Sequence, residues 1–140
     1  MDQNKLISVV IPTFNSEKYI SKCISTVLNQ TYKNFEIIIV DNSSSDDTLN
    51  IINSFNSNKI RIFNIVNNGN ISKSRNVGIK NSNGLWIAFL DSDDYWEKNK
   101  LEFLSEKFDK YDLIFHDMWI LKNKKIIKNF NFLSSQLKKK

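Results

Sequence analysis

Three carboxylates stand within four positions, at Asp91, Asp93 and Asp94, directly after an apolar run at residues 85–90. Side chains alternate along an extended chain, so Asp91 and Asp93 can point the same way. Two carboxylates at that spacing repel each other unless a cation or a proton lies between them. Oxygen ligands beside room for water and phosphate suit Mg²⁺ or Mn²⁺. The pattern therefore predicts a divalent metal site, and an acidic turn that caps the next helix is the alternative.

The segments around these carboxylates alternate between strand and helix. Apolar runs rich in β-branched residues predict buried strands at residues 6–11, 35–40, 60–65 and 85–90. Apolar residues at helical spacing, preceded by polar residues that can cap them, predict helices at about 19–28, 46–55, 71–81 and 98–110. This alternation predicts an α/β fold with a mostly parallel sheet, helices on both faces and right-handed crossovers.

Two local features refine the predicted sheet. Arg61 and Asn64 interrupt the third apolar run, which favours a position nearer the edge. A further strand is predicted to begin at Leu113, and a turn at residues 123–124 can lead to a hairpin partner at residues 126–127.

Composition places the chain among globular proteins. It has 140 residues, of which 41% are hydrophobic and 25% charged, enough for one domain with a core. No apolar run approaches the roughly 20 residues that a membrane-spanning helix needs. The single cysteine, Cys23, excludes an internal disulfide and fits a reducing compartment, so we expect a cytoplasmic protein. Cys23 falls on the apolar face of the first helix and is expected to be buried.

The formal net charge of +5 is unevenly distributed. Seven lysines and no acidic residue follow Asp117, so residues 1–117 carry a net charge of −2. We therefore divide the chain into a domain at 1–120 and a basic tail at 121–140. The tail can contact an anionic membrane surface, such as the inner face of the cell membrane, although such runs are more often solvated ends. No nucleic-acid partner is predicted.

Polar side chains follow three of the predicted strands, and a parallel sheet brings the carboxyl ends of its strands to one edge. Phe14 can present a flat surface on which a base stacks, and Asp41 can accept a hydrogen bond from a base or a ribose. Arg75 carries a permanent charge that suits phosphate oxygens. Together with Asp91 and Asp93, these residues predict a nucleoside diphosphate site.

Each of these residues has a structural alternative. Phe14 can belong to the core, and Asp41 can cap its own loop. Arg75 can pair with Asp91 or Asp93 merely to neutralise it, because ion pairs of this kind also occur without any catalytic role.

Four sequence blocks carry a resemblance to a known family. They are SVVIPTFN at 8–15, EIIIVDNSSSDDT at 36–48, NGNISKSRNVGI at 68–79 and GLWIAFLDSDDYW at 84–96. Because the four blocks occur in this order and at this spacing, the chain resembles the inverting family 2 glycosyltransferases of GT-A fold. The resemblance implies a nucleotide-sugar donor, usually a UDP-sugar, and a divalent metal, Mn²⁺ or Mg²⁺, that bridges its diphosphate.

The resemblance also implies roles for individual residues. Asp93 would be the direct metal ligand, with Asp91 beside it and facing the ribose or the donor sugar. The other residues implied in binding the nucleotide are Pro12, Thr13, Phe14, Glu17, Asp41, Arg75 and Ser92. The acceptor would be a hydroxyl of a saccharide or a lipid-linked saccharide, as in the synthesis of cell-surface polysaccharides.

The chain departs from the family pattern at two places. Asn42-Ser43-Ser44 stands where many relatives have Asp-Gly-Ser, so no glycine is present to take a positive φ. An inverting transfer needs a general base, and Asp117 is the last carboxylate side chain in the sequence that can supply one.

We therefore expect the donor-binding half of a glycosyltransferase, with a non-catalytic nucleotide-sugar or metal-binding module as the alternative. Self-association through an uncovered apolar face is also predicted, so a homo-oligomer is one expected state. A haloacid-dehalogenase-like phosphatase is disfavoured. Its motif would lie on the first strand, with Thr or Val where this chain has Tyr95.

Overall fold

Two mostly apolar strands form the centre of the sheet in the computed structural model. β1 (Ile7–Thr13) and β2 (Phe35–Asp41) are buried at every position and pair in parallel. β3 (Ile60–Asn64) flanks β2 and β4 (Trp86–Phe89) flanks β1, also in parallel, which gives the order β3-β2-β1-β4. The predicted parallel sheet is confirmed, and β3 lies at its edge as the polar interruptions indicate.

The chain divides into two compact units, Met1–Leu101 and Glu102–Lys140, and the four-stranded sheet belongs to the first. The structure describes residues 5–114 and, beyond them, the backbone of strands at 118–122, 125–130 and 137–138. The boundary near residue 120 that the charge distribution suggests stays a prediction.

Helices connect the strands at the predicted places. Asn70 caps the third of them, because its side chain accepts a hydrogen bond from the backbone N–H of Lys73. Within the described residues no helix is both long and apolar enough to cross a membrane. The helices are α1 (Ile20–Leu28), α2 (Thr48–Ser54), α3 (Ile71–Lys80) and α4 (Lys100–Ser105).

The last helix is shorter than predicted. The apolar spacing predicts a helix to residue 110, but α4 ends at Ser105. The Ser105 hydroxyl donates to the carbonyl of Glu102, and the chain then tightens into turns whose N–H groups bond three residues back, as from Lys107 to Leu104. Local turn bonding therefore replaces the expected final helical turns.

Both faces of the sheet are buried, but by different helices. Val10, Ile38 and Val40 form a core cluster on the face against which α3 packs. A β-carbon added at Gly78 would collide with the side chain of Val10, so α3 approaches β1 more closely than a larger residue would allow. The residues between them along the strands, such as Val9 and Ile37, are fully buried on the opposite face.

β4 is less buried than its apolar sequence predicts. Its four residues are half-buried or exposed, and Leu85 just before it is 69% exposed. In the part of the chain that the structure describes, β4 pairs only with β1. The prediction of a fully buried strand is wrong because β4 ends this sheet, where one side lacks a neighbouring strand.

The described strands of the second unit form two antiparallel pairs. β5 (Tyr111–Leu113) begins two residues earlier than predicted and ends where the expected strand was to begin. The preceding turns end at residue 110, so extended backbone starts at once. β6 (Met118–Lys122) and β7 (Lys125–Phe130) form the hairpin that the turn at 123–124 predicts, and β5 pairs with β8 (Leu137–Lys138).

The buried carboxylate of Glu36 lies at the amino-terminal edge of the sheet. Glu36 accepts hydrogen bonds from the Ser8 hydroxyl at 2.6 Å, from the Asn83 backbone N–H at 2.6 Å and side-chain amide at 2.9 Å, and from Arg61 at 3.2 Å. The Ser8 hydroxyl also accepts from the Gly84 N–H at 2.8 Å. This network ties β1, β2 and β3 to the turn that enters β4.

Burial acts to raise the pKa of the Glu36 carboxyl, but the hydrogen bonds from Ser8, Asn83 and Arg61 outweigh it. Together they hold the pKa of Glu36 below its usual value. Because the pKa is lower in the folded chain, this carboxylate contributes stability above the ordinary glutamate pKa of about 4.3. That stability is lost as the pH falls through the folded-state value.

We expect Glu36→Gln to lower the midpoint of thermal unfolding at pH 7, because an amide cannot accept all the hydrogen bonds that the carboxylate accepts. The decline of that midpoint between about pH 5 and pH 3 should be shallower in Glu36→Gln than in the parent chain. Circular dichroism melts across this range test both points. Glu106→Gln, which changes an exposed carboxylate, is the control. An equally steep decline in Glu36→Gln would contradict the role given to Glu36.

Candidate functional site

The loops that follow β1, β2 and β4 meet the start of α3 around an open cleft of about 440 Å³. All of the lining residues belong to the first unit, and they lie at the carboxyl ends of the strands, where α/β sheets bind ligands. The lining residues that the sequence predicted are Pro12, Thr13, Phe14, Asp91, Ser92 and Asp93. The structure thus brings residues of all four resembling blocks together in one cavity.

Phe14 and Thr13 form an unusual pair in the wall of this cleft. Phe14 is 56% exposed, so the alternative that it belongs to the core is wrong. Thr13 is buried, and among the described residues its hydroxyl oxygen has no hydrogen-bond partner. An exposed aromatic ring beside an unsatisfied hydroxyl is costly in a free protein and suits a ligand with a flat apolar face and polar edges.

Asp41 is fully buried and caps its own loop. Its carboxylate accepts from the Ser44 N–H at 2.9 Å and from the Ser44 hydroxyl at 2.5 Å. The Ser44 hydroxyl oxygen in turn accepts from the Asn15 N–H at 2.9 Å, which joins this loop to the loop after β1. The structure favours the capping alternative for Asp41, and contact with a base stays a prediction.

The loop after β2 forms without the expected glycine. Ser43 adopts a φ of 56°, the left-handed conformation that glycine usually supplies. The Ser43 hydroxyl donates to the carbonyl of Ile65 at 3.0 Å, and the Asn42 side-chain oxygen accepts from the Asn67 N–H at 2.7 Å. These bonds hold the loop against the start of α3 despite the unfavourable backbone angle.

Glu17 joins the loop after β1 to α2 and is absent from the lining of the cleft. Its carboxylate accepts from the Asp47 N–H at 3.1 Å, while its own N–H donates to the Asp46 carboxylate at 3.1 Å. This reciprocal pair fixes the loop that carries Phe14. A direct contact between Glu17 and a nucleotide stays a prediction.

Arg75 pairs with Asp91, as one alternative predicted. The guanidinium lies 2.8 Å from the Asp91 carboxylate and 5.8 Å from the centre of the Phe89 ring. About a third of the Arg75 side chain is exposed, so solvent screens the pair and it contributes little stability. Its effect is local: Arg75 neutralises Asp91 and leaves Asp93 exposed at the mouth of the cleft.

The negative charges of Asp91, Asp93 and Asp94 repel one another. Burial raises the pKa of the Asp94 carboxyl, and the charges of Asp93 and Asp91 raise it further. A cation at this position would relieve the repulsion.

The donor set of the acidic loop consists of carboxylates. Among the described residues no three His, Cys, Asp or Glu side chains are grouped as a metal cage. Mg²⁺ and Mn²⁺ do not need such a cage, since one or two carboxylates with water and substrate phosphates are enough. Asp93, with Asp91 beside it, therefore fits a metal that shares its coordination with a bound phosphate.

Six of the fourteen residues that line the cleft were missed by sequence reasoning. They lie on loops and in the first turns of α3, and only the folded sheet brings them together. In the sequence, the polar turn before α3 and the capping residues after β1 could have indicated them. The missed residues with polar side chains are Ser16, Tyr19, Asn67 and Ser74, whereas Asn15 and Asn42 belong to the polar stretches that the sequence predicts at this edge.

The sheet order and the acidic loop after β4 define a protein of GT-A fold, and this prediction is confirmed by the solved structures that match. A family model described as Glycosyl transferase family 2 matches residues 8–132. The chain belongs to this family.

Relatives with known names support the same assignment. The chain is 40% identical over 97 residues to the Escherichia coli UDP-Glc:alpha-D-GlcNAc-diphosphoundecaprenol beta-1,3-glucosyltransferase WfgD, a match that covers 69% of this chain and 38% of that protein. A structure of residues 1–349 of S. aureus TarS in complex with UDP-GlcNAc matches at 36% identity with a TM-score of 0.69, over 74% of this chain and 31% of that TarS chain.

A more distant structure shows the fold alone. The mannosyltransferase PcManGT from Pyrobaculum calidifontis, in complex with GDP-Man and Mn²⁺, matches at 19% identity with a TM-score of 0.62. That match covers 71% of this chain and 30% of the mannosyltransferase. The chain thus spans about a third of the length of the relatives described here.

Cys23 lies directly beneath the acidic loop and is predicted to be unreactive. It is 1% exposed, and its Sγ donates to the Asp91 carbonyl at 3.6 Å. Burial, followed by the charges of Asp94, Asp93 and Asp91, raises the pKa of the thiol to about 12. We expect the native chain to react with a disulfide reagent at pH 8 at least roughly a hundredfold more slowly than the denatured chain. Equal rates would show that the loop does not cover Cys23.

Proposed function

We propose that this chain binds the donor of a metal-dependent glycosyltransferase, a UDP-sugar, in the cleft at the carboxyl edge of the sheet. One observation carries the proposal: an exposed aromatic ring at Phe14 and the carboxylates of Asp91 and Asp93 line a single cavity. A nucleoside needs the aromatic ring, and a metal-bound diphosphate needs the carboxylates. The UDP-GlcNAc complex of TarS and the UDP-Glc donor named for the Escherichia coli relative support the choice of UDP.

The uridine would occupy the end of the cleft at the loop after β1. Phe14 offers a stacking surface for the base, and Pro12 forms the wall beside it. The unsatisfied hydroxyl of Thr13 supplies a hydrogen-bonding group for a polar edge of the base or ribose. In this proposal Asp41 and Glu17 fix the shape of the loops that hold the base.

The diphosphate would lie toward the loop after β4. Asp93 and Asp91 would hold Mn²⁺ or Mg²⁺, which when bound stabilises negative charge on the departing diphosphate. Arg75 holds the Asp91 carboxylate in place and adds positive charge close to the phosphates. Ser92 is hydrogen-bonded to Ser16 at 2.8 Å, which connects the metal end of the cleft to the loop that follows Phe14.

The complete reaction would transfer the sugar to an acceptor hydroxyl with inversion. A lipid-linked saccharide at the inner face of the membrane is the proposed acceptor class, because the name of the Escherichia coli relative contains a diphosphoundecaprenol-linked GlcNAc. Inversion requires a general base, and Asp117, the predicted candidate, lies outside the described residues. Donor binding is the part of the function that the described residues support.

Calorimetric titration of UDP tests the proposal directly. We expect UDP to bind more tightly with Mn²⁺ than with EDTA, and Asp93→Asn to remove this difference. Phe14→Ala should weaken binding under both conditions by about 1–3 kcal/mol, the usual cost of losing base stacking.

Asp109→Asn, which removes an exposed carboxylate of the second unit, is the matched control and should bind like the parent chain. Absence of UDP binding by a folded parent chain would refute the proposal. UDP binding without sugar transfer to any acceptor would instead favour the non-catalytic module.

A further inference from the structure

The segment that begins with the acidic motif is attached to α1 along most of its length. We call residues 91–101 the acidic segment. Its backbone has little regular structure of its own before α4 begins, yet α1 and its flanking residues contact it at every few positions. These contacts are polar, although α1 otherwise presents an apolar face with Ile20, Ile24 and Val27 buried.

Gln30 makes the most extensive of these contacts. It lies just after α1 and is fully buried. Its side-chain N–H₂ donates to the Glu97 carbonyl at 2.7 Å and to the Thr26 carbonyl at 3.1 Å. Its side-chain oxygen accepts from the Leu101 N–H at 2.9 Å. One buried amide therefore holds two points of the acidic segment that are four residues apart.

Thr26 and Cys23 extend this line of contacts toward the carboxylates. The Thr26 hydroxyl oxygen accepts from the Trp96 N–H at 3.2 Å, and the Cys23 thiol donates to the Asp91 carbonyl at 3.6 Å. Positions 23, 26 and 30 are spaced three and four residues apart, so they form one stripe along a helical path. In addition, the Lys22 ammonium lies 3.3 Å from the centre of the Tyr95 ring.

The acidic segment needs such support because of its own charge. Asp91, Asp93 and Asp94 repel one another, and a free loop would relieve the repulsion by moving the carboxylates apart. Arg75 neutralises only the first of them. Carboxylates that bind a metal weakly and jointly with a phosphate must already be in place, since groups around the ligands orient them.

We propose that Thr26 and Gln30 are positioning residues that hold the acidic segment so that Asp93 and Asp91 can bind a divalent cation. This inference rests on the proposed function, because it assumes that these carboxylates bind the metal. Neither residue touches the cleft. They act through the backbone of Trp96, Glu97 and Leu101.

A purely structural role would give a different result. If Thr26 and Gln30 only satisfied buried polar groups, their loss would lower stability and leave metal affinity unchanged in the folded chain. If they position the carboxylates, metal affinity falls in variants that remain folded. The affinity for Mn²⁺, measured apart from any activity, separates the two.

The electron paramagnetic resonance signal of free Mn²⁺, which is lost on binding, measures this affinity in the presence of UDP. We expect Thr26→Val and Gln30→Met to weaken Mn²⁺ binding about tenfold, the usual effect of losing a group that orients a ligand. Thr26→Ser keeps the hydroxyl and should stay within about twofold of the parent chain. UDP affinity in EDTA should be unchanged in all three variants.

Two further variants make the outcome decisive. Ile24→Val removes one methylene from the apolar face of α1 and should lower stability without changing Mn²⁺ affinity. Asp93→Asn tests the metal site itself. If it loses Mn²⁺ while Thr26→Val and Gln30→Met bind normally, the positioning role is overturned and the proposed function stands.

The remaining outcomes also decide the question. Equal losses in Thr26→Val and Thr26→Ser would show that keeping the hydroxyl does not preserve Mn²⁺ affinity, and would overturn the positioning role given to its hydrogen bond. Absence of Mn²⁺ binding by the parent chain would overturn the metal site and the positioning role together. Circular dichroism melts establish that each variant is folded, and the two Thr26 variants decide the question if Gln30→Met does not fold.

Discussion

Repulsion among the carboxylates at the end of β4 is the constraint on which the rest of the site depends. The guanidinium of Arg75 offsets the charge of Asp91, and Arg75 projects from α3, which packs against β1 and β2. That close approach occurs at Gly78, one helical turn further on, where any β-carbon would collide with Val10. The close packing of α3 on β1 and the neutralisation of Asp91 thus involve neighbouring turns of one helix, while Asp93 remains exposed.

The two edges of the sheet satisfy their polar groups to different degrees. At the amino-terminal edge, Glu36 is surrounded by donors and its pKa is lowered, so nothing there requires a ligand. At the carboxyl edge, the Thr13 hydroxyl is unsatisfied and Phe14 and Asp93 are exposed. Folding has left polar and aromatic groups incomplete at the carboxyl edge, which is the expected condition of a binding site.

The sequence was sufficient for features that depend on local pattern. The strands, their parallel arrangement and the cleft residues from Pro12 to Phe14 follow from apolar runs and from where those runs end. Features that depend on neighbours in space were not predictable. The exposure of β4 depends on which strands flank it, and the buried capping role of Asp41 depends on the turn that brings Ser44 onto its carboxylate.

The contacts of α1 and Gln30 with the acidic segment could not be predicted for the same reason. Gln30 follows α1, and the only pattern evident in the sequence of α1 is its apolar stripe. The partners of Gln30, Glu97 and Leu101, lie about seventy residues away in the chain. Such a contact needs the sheet to place β1 beside β4 before α1 can reach the acidic segment. A single sequence does not encode that proximity in any local pattern.

We propose that a divalent cation binds at Asp93, at the carboxyl edge of the sheet. Paramagnetic broadening of backbone amide NMR signals by Mn²⁺, in the presence of UDP and with Mg²⁺ as the diamagnetic reference, locates the ion directly. We predict the strongest broadening at residues 91–94 and 13–16. The weakest should be at Asn83 and Gly84, in the turn before β4 at the opposite edge of the sheet, roughly 20 Å away across the length of the strands. Broadening centred elsewhere, for example at Asp46 and Asp47, would contradict the claim.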